Sequence, residues 1–500
     1  MLNHDIITLI CTELEYGQFS YLYRLSDADL RCRKALLSLG LASKDFLEPA
    51  LNSLWKNINN LNPLLSVLPE TTVVNGEKMI LSQIAPSSWD RLQYYTNRVR
   101  TFNDDDLLVG PEESIVHESV YAYLGQKPPI FPNLRTLRLK HRLCSSNSSI
   151  FFLTSTLLDV QWPCRLGVSD AIADLGPSLS LLASKSPGLP CLMLSAHPYS
   201  GLASSLSRLR ALETLAVSGV PDLGTEFIRV ISSLLKLTTL SLTLPVGSLP
   251  DYTAVQGGFQ SLTQLRLTGS NVNLANFFER VTLAALQALY VECDWERLDE
   301  DPPHAEIARV TRTLEGKFSS LQTLTVHTAG PLFLNNFDGL LLWSIFEPLL
   351  ELRTLKLLRY SIPLSLTDQN TARIARAWPH LEELELTAVS WDGAIPTVDS
   401  LVYFAQYCPN LELLTYPIRL GSIPIEPASL IPPTLSLHPL RVFNCSLEAD
   451  VLNPPTIALA LHQIFPNLKR VYGAGNRWDE VQQILRSFHF LRAQNRQFEG

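Results

Sequence analysis

The sequence predicts an α/β solenoid with short parallel strands on a concave face, helices outside, and a small all-α domain in front of it. Three observations predict this. The phrase Leu-x-x-Leu-x-Leu recurs from residue 134 towards the C-terminus, as Leu134-Arg-Thr-Leu137-Arg-Leu139, at Leu237, Leu262, Leu352 and Leu381, and in looser form at Leu157, Leu189, Leu212, Leu286, Leu321, Leu411, Leu440 and Leu468. These are about thirteen copies at a mean spacing of roughly 28 residues, the period of a leucine-rich repeat. Between the copies, apolar residues recur at helical spacing, as in Phe227, Val230, Ile231 and Leu234, or Ile307, Val310 and Leu314. Residues 1–57 carry helical patterning but no copy of the phrase.

The first domain, 1–57, opens with Asn3 placed to cap a helix and Asp5 in its first turn, where a negative charge suits the helix dipole. Ile6, Ile7, Leu9, Ile10 and Leu14 give that helix an apolar face. Leu36 to Leu41 and Phe46 to Trp55 continue at helical spacing, and Pro49 predicts a fresh helix start with Pro in its first turn. Residues 58–130 read as a helical linker and N-terminal cap, in which Trp89 to Arg100 forms an amphipathic helix. The repeats occupy 131–475, and 476–500 form a capping helix and tail. Within the repeats, Pro ends each helix before the strand, as in Ile130-Phe-Pro-Asn-Leu134, Cys408-Pro-Asn-Leu411 and Ile464-Phe-Pro-Asn-Leu468. The Asn or Cys that often follows the phrase and bonds one turn to the next is missing, so packing and other polar groups must join the turns.

Residues between the Leu positions alternate outward on the concave face. Of these, Arg266, Tyr290, Lys356, Glu383 and Glu385 are the expected substrate-reading group, because Arg and Tyr most often anchor interfaces. The ordinary reading of the same face is a solvated sheet surface.

Composition narrows the function. The formal net charge is −8 and no long Lys/Arg block occurs, which argues against nucleic acid as the partner. No basic leader opens the chain and no long uninterrupted apolar run occurs, so neither a signal peptide nor a membrane span is expected. The eight Cys are scattered without a Cys-x-x-Cys pair and read as reduced core thiols of a cytoplasmic or nuclear protein. No phosphate-cradling Gly motif, His-Glu-x-x-His or Gly-x-Ser-x-Gly occurs, so no catalytic residue, metal ligand or cofactor is assigned.

The N-terminal segment also resembles a known family. Leu2-Asn-His-Asp5-Ile-Ile7 is similar to the opening of an F-box, and Lys44-x-Phe46-x-Glu48-Pro49-Ala50-Leu51-x-x-Leu54-Trp55 resembles its closing half in fungal F-box proteins with C-terminal leucine-rich repeats. The resemblance implies a substrate receptor of a Skp–cullin–F-box ubiquitin ligase. Its N-terminal helices would dock on a Skp-type adaptor, and through it a cullin–RING ligase, while the repeats hold a protein substrate. By match to the motif, the adaptor-facing residues are Leu2, Asp5, Ile6, Ile7, Leu37, Leu41, Phe46, Pro49, Leu54 and Trp55. Asn3 stands where the family has Pro, and Glu15 to Arg33 is longer than the usual connection. The residues alone leave a second reading open, a ligase-independent binding scaffold in which 1–57 caps the array.

Overall fold

The computed structural model describes residues 4–14, 27–104, 115–126, 129–139, 147–163, 176–195, 201–219, 224–244, 257–294, 303–315, 317–329, 339–362, 364–387, 394–420, 438–447 and 450–498. The chain divides into two compact units, Met1–Leu237 and Thr238–Gly500. Each is built on a run of short parallel strands in sequence order, the arrangement of a leucine-rich-repeat solenoid.

In the first unit, the strands are Asn57–Ile58, Thr101–Asp104, Thr136–Leu139, Asp159–Pro163, Cys191–Ser195 and Thr214–Ser218. Their register aligns Phe102, Leu137, Val160, Leu192 and Leu215, all fully buried, into one inward row. The row begins before the first Leu-x-x-Leu-x-Leu phrase, because Val99-Arg-Thr-Phe102 already places apolar residues at the required spacing. Residues 58–130 therefore carry strands as well as helices. A hairpin pairs Thr71–Val74 with Glu77–Ile80 through Asn75 and Gly76, whose φ values of 51° and 84° fit a type I′ turn. Asn-Gly after the β-branched run Thr71–Val74 is the sequence signal for it, and an all-helical reading of this segment passes over it.

The first unit opens with three helices: α1 (His4–Glu13), α2 (Asp27–Ala42) and α3 (Lys44–Lys56). The Ser43 side chain caps α3 by accepting from the Asp45 N–H. Contrary to the sequence expectation, α3 runs unbroken through Pro49. A mid-helix Pro costs ~3 kcal/mol. Burial of Pro49 and Ala50, with Phe46 and Leu54 packed on the same core, offsets this. The chain then passes directly from α3 into the first strand, and the Arg100 N–H donates to the Lys56 carbonyl at 2.8 Å.

In the second unit, the strands are Thr239–Thr243, Gln264–Ser270, Ala288–Asp294, Thr323–Ala329, Leu357–Tyr360, Glu383–Leu386, Leu413–Tyr416, Val442–Cys445 and Arg470–Gly473. Their inward row is Leu240, Leu265, Leu289, Leu324, Leu358, Leu384, Leu414, Phe443 and Val471, each at most 3% exposed. Burial of one such side chain is worth about 1.5–3 kcal/mol. Helices end just before each Pro as expected: Asp368–Ala377 before Trp378-Pro379, Leu401–Tyr407 before Cys408-Pro409, and Pro454–Ile464 before Phe465-Pro466. Successive turns are joined by scattered polar side chains instead of an Asn ladder. Thr354 donates its hydroxyl to the Leu321 carbonyl at 2.7 Å, His438 Nε2 bonds the Cys408 carbonyl at 3.0 Å, and Asn467 donates to the His438 carbonyl at 3.0 Å.

One strand departs from the expected register. The phrase at Leu352 places Leu355 and Leu357 inward, yet the strand is Leu357–Tyr360, with Leu358 and Tyr360 buried and Leu357 and Arg359 outward. A one-residue change of parity moves every side chain of a strand to the opposite face. The predicted parity would bury the Arg359 guanidinium and expose Tyr360. The observed one frees Arg359 and stacks Tyr360 edge-on to Phe346 at 5.1 Å.

The last strand is closed by the helix Trp478–Phe498. Its Gln482 side chain accepts from the Val471 N–H at 2.7 Å and donates to the Lys469 carbonyl at 3.1 Å, the two bonds a further strand would make. One face of the same helix presents His489 to the Leu468 carbonyl at 2.7 Å and Arg492 to the Pro466 carbonyl at 3.3 Å.

Candidate functional site

Two groups of residues merit attention: the N-terminal helices and the outward strand face of the second unit. In the N-terminal helices, Ile7 and Cys11 lie one turn apart on α1 and point inward, where Cys11, Leu36 and Ala50 form a small core joined by Leu14, Phe46 and Leu54. Gly40 permits close approach of α2 to α3, since a Cβ there would lie 3.3 Å from the Ala50 Cβ. The complementary faces are exposed and apolar: Ile6, Leu9 and Ile10 on α1, Leu30, Leu37 and Leu41 on α2, and Leu47 on α3. Leu37 is 54% and Leu41 78% exposed, whereas Ile7 is 2% exposed.

The structure thus divides the residues named from the sequence. Ile6, Leu37 and Leu41 face outward, and Asp5 is exposed in the first turn of α1. Ile7, Pro49, Phe46 and Leu54 build the interior that sets the helices in place. Leu2 lies outside the described residues. Trp55 is half-buried, its ring 4.6 Å from that of Tyr95 on the helix Pro86–Thr96. That helix matches the amphipathic stretch expected from Trp89 onward, and it holds α3 by a second link. Glu48 accepts from the Tyr94 hydroxyl at 2.5 Å and pairs with Arg98, whose guanidinium stacks 3.9 Å from the Tyr94 ring centre. The Tyr94 hydroxyl and Arg98 together hold the Glu48 carboxyl below its ordinary range.

On the strand face of the second unit, register brings Arg266, Tyr290, Thr325, Arg359 and Glu385 into one row across consecutive strands. The Arg266 guanidinium lies 4.1 Å over the Tyr290 ring and 3.2 Å from the Glu292 carboxylate. Tyr290 in turn neighbours the His327 ring at 5.5 Å. Burial, with the adjacent Glu292, raises the Tyr290 hydroxyl above its ordinary pKa. Beyond Thr325, Arg359 bonds Glu383 at 2.7 Å and reaches Glu385 at 3.5 Å.

Arg266, Tyr290, Glu383 and Glu385 therefore share one face, as expected from the sequence. Lys356 does not. Because of the shifted parity it precedes the strand, in the row of Gln322 and Glu382, and pairs with Glu382 at 3.6 Å. The face position belongs to Arg359, which the sequence reading missed. Its signal was the alternation Leu358-Arg-Tyr360, masked by the better Leu match three residues earlier. Glu292 lies in the strand Ala288–Asp294 and neutralises Arg266. Each ion pair on this face has an exposed Arg and is open to solvent screening, so it contributes about 0–1 kcal/mol. The face offers planar Arg and Tyr groups, already oriented by neighbours, and little unbalanced charge.

Among the described residues, no cluster of His, Cys, Asp or Glu could hold a metal ion, and no helix is long and apolar enough to cross a membrane. Burial pushes the thiols of Cys191, Cys293 and Cys408 up to about 12.

No family model matches the chain, and no curated protein matches it. Among solved structures, the chain is similar to one described as the Rad7 and Elc1 complex in yeast, with a TM-score of 0.38 and 12% identity over 89% of this chain and 93% of that one. It is also similar to the leucine-rich repeat-containing protein LegL7 from Legionella pneumophila, with a TM-score of 0.31 and 13% identity over 57% of this chain and 92% of that one.

Proposed function

We propose that this chain is the substrate-recognition subunit of a Skp–cullin–F-box type ubiquitin ligase, acting in the cytoplasm or nucleus. α1 and α2 dock on a Skp-type adaptor, and the repeats hold a protein substrate. The observation that carries this reading is the exposed apolar side chains, Ile6, Leu9 and Ile10 on α1 and Leu30, Leu37 and Leu41 on α2, on helices whose opposite faces already have a core. An amphipathic helix face left open in this way suits a partner's groove. The links from Glu48 and Trp55 to Tyr94, Arg98 and Tyr95 fix α3 on the first unit, so an adaptor held by its neighbours would be held at a set angle to the first strands. The mechanism is proximity: a bound substrate's lysine is kept at high effective concentration near the charged ubiquitin carrier. The chain contributes no catalytic residue, cofactor, nucleic-acid contact or membrane contact in this scheme.

The test is co-purification of the full chain with a Skp-type adaptor, comparing wild type with Leu37→Asp/Leu41→Asp. Both substitutions fall on exposed positions and leave the Cys11–Leu36–Ala50 core untouched. Wild type should form a stoichiometric complex. The variant should lose it while retaining its circular-dichroism melt, and a variant that still binds would remove the docking assignment. Phe46→Ala would be a poor substitute, because Phe46 packs on the same core.

The alternative is a ligase-independent binding scaffold. The fusion of α3 to the first strand favours a structural duty for these helices, since without residues 1–57 the strand Thr101–Asp104 loses its Asn57 partner and the Arg100 N–H loses the Lys56 carbonyl. A well-folded wild-type chain that binds no adaptor would select this reading.

A further inference from the structure

In the second unit, the row of residues that immediately precedes each strand forms a continuous backbone ladder. Gln322, Lys356, Glu382, Glu412, Arg441 and Lys469 each donate an N–H to the carbonyl of the one before, from Gln287 onward. Adjacent rungs of such a ladder are about 4.8 Å apart, so successive side chains form a line of charge. The line changes sign along its length. Lys356 is matched by Glu382 at 3.6 Å and Arg441 by Glu412 at 3.7 Å. Lys469, the last, has no acidic neighbour among the described residues, and the closing helix brings Arg486 to the same place instead of a carboxylate.

There the surface folds into an open groove of about 570 Å³ lined by Pro439, Arg441, Asn467, Lys469, Arg486 and His489. Among the described residues, no acidic one lines it. Neither Lys469 nor Arg486 makes a side-chain hydrogen bond or ion pair among the described residues. Two further groups are anchored at its wall: His489 on the Leu468 carbonyl at 2.7 Å and Asn467 on the His438 carbonyl at 3.0 Å. Lys469 and Arg486, side by side without a counter-charge among the described residues in a chain of formal net charge −8, gain nothing for folding by being together.

We propose that this groove binds an acidic peptide segment, with a carboxylate pair or a phosphate of the peptide held between Lys469 and Arg486 and beside Arg441. Arg and Lys side chains that line one groove suit a compact anion, through charge-assisted hydrogen bonds. The chain's overall negative charge repels a long polyanion, and the groove has room for a few side chains, not a duplex. The inference rests on the repeats being a protein-binding surface and is independent of adaptor docking, so the two fail separately.

The experiment measures fluorescence anisotropy of the full chain with four labelled probes: a short glutamate-rich peptide, the same peptide carrying one phosphoserine, its all-glutamine counterpart, and a single-stranded oligodeoxynucleotide. At least one acidic peptide should bind about tenfold or more tightly than the glutamine peptide, and added salt should weaken it. Tighter binding of the phosphoserine peptide names phosphate as the anchoring group, and equal binding names carboxylate; either supports the site. Lys469→Gln/Arg486→Gln should abolish the preference without moving the thermal melt, while Lys469→Arg retains it. A preference that survives the double variant, equal binding of acidic and glutamine peptides, or tighter binding of the oligonucleotide than of either acidic peptide would each overturn the assignment.

Discussion

At the scale of single residues, the closing end of the second unit turns on Gly473. A Cβ placed there would stand 2.1 Å from the Trp478 Nε1, and the indole is held at 4% exposure. A rigid ring cannot give way by the distance required. Gly473→Ala should therefore cost about 1–3 kcal/mol, the usual penalty of overpacking. An unchanged thermal melt would contradict the contact. Two buried tyrosines offer a matched comparison. The Tyr360 hydroxyl has no hydrogen-bond partner among the described residues, whereas the Tyr416 hydroxyl donates to Thr371 Oγ1 at 2.7 Å. Thr371 in turn donates to the Thr367 carbonyl at 3.1 Å. Removing an unpaired buried hydroxyl relieves a desolvation cost, and removing a paired one loses about 1 kcal/mol. In urea unfolding, Tyr360→Phe should be as stable as wild type or more so, and Tyr416→Phe less stable. The reverse order would show that the two hydroxyls are misassigned.

At the scale of elements, the phrase sets its strand in the expected register at Leu381 and Leu262 and also where an aromatic replaces a Leu, as at Trp162 and Phe443. At Leu352 it does not, because consensus matching weighs Leu above Tyr, while packing weighs volume against Phe346 and the cost of burying Arg359. The helix through Pro49 was misread for a related reason: local propensity favours a break, and tertiary burial of Pro49 and Ala50 overrides it. The segment that leads into the strand Val442–Cys445 contains a titratable joint. His438 accepts from the Leu440 N–H at Nδ1 and donates from Nε2 to the Cys408 carbonyl. Both nitrogens are committed to the neutral ring, and burial lowers its pKa below 6.5. The unfolded chain then binds the proton more readily than the folded one. The stability this joint contributes is complete above about pH 6.5 and is lost as pH falls from there through the depressed folded value. Melts recorded from pH 7 to pH 5 should show a decline that His438→Gln diminishes. Equal slopes in the two proteins would place the pH dependence elsewhere.

At the scale of the whole molecule, the surfaces proposed for partners were legible in proportion to how local they are. The apolar face of α1 could be read from Ile6, Leu9 and Ile10 within one helix, and the Leu37→Asp/Leu41→Asp experiment tests the exposed apolar face of α2. The Arg266–Tyr290 stack required the repeat register, which the phrases supply. The basic groove could not be read in advance, because Arg441, Lys469 and Arg486 come from two repeats and a closing helix, and no spacing in the chain marks their convergence. The Gln482 side chain has a consequence of another kind. A parallel ladder has no intrinsic length: every outermost strand offers its N–H and carbonyl groups to whatever backbone comes next, including that of another molecule. With one side-chain amide bonded to both the Val471 N–H and the Lys469 carbonyl, two of the backbone groups on this edge are already occupied. At those two groups, backbone pairing with a second molecule is blocked.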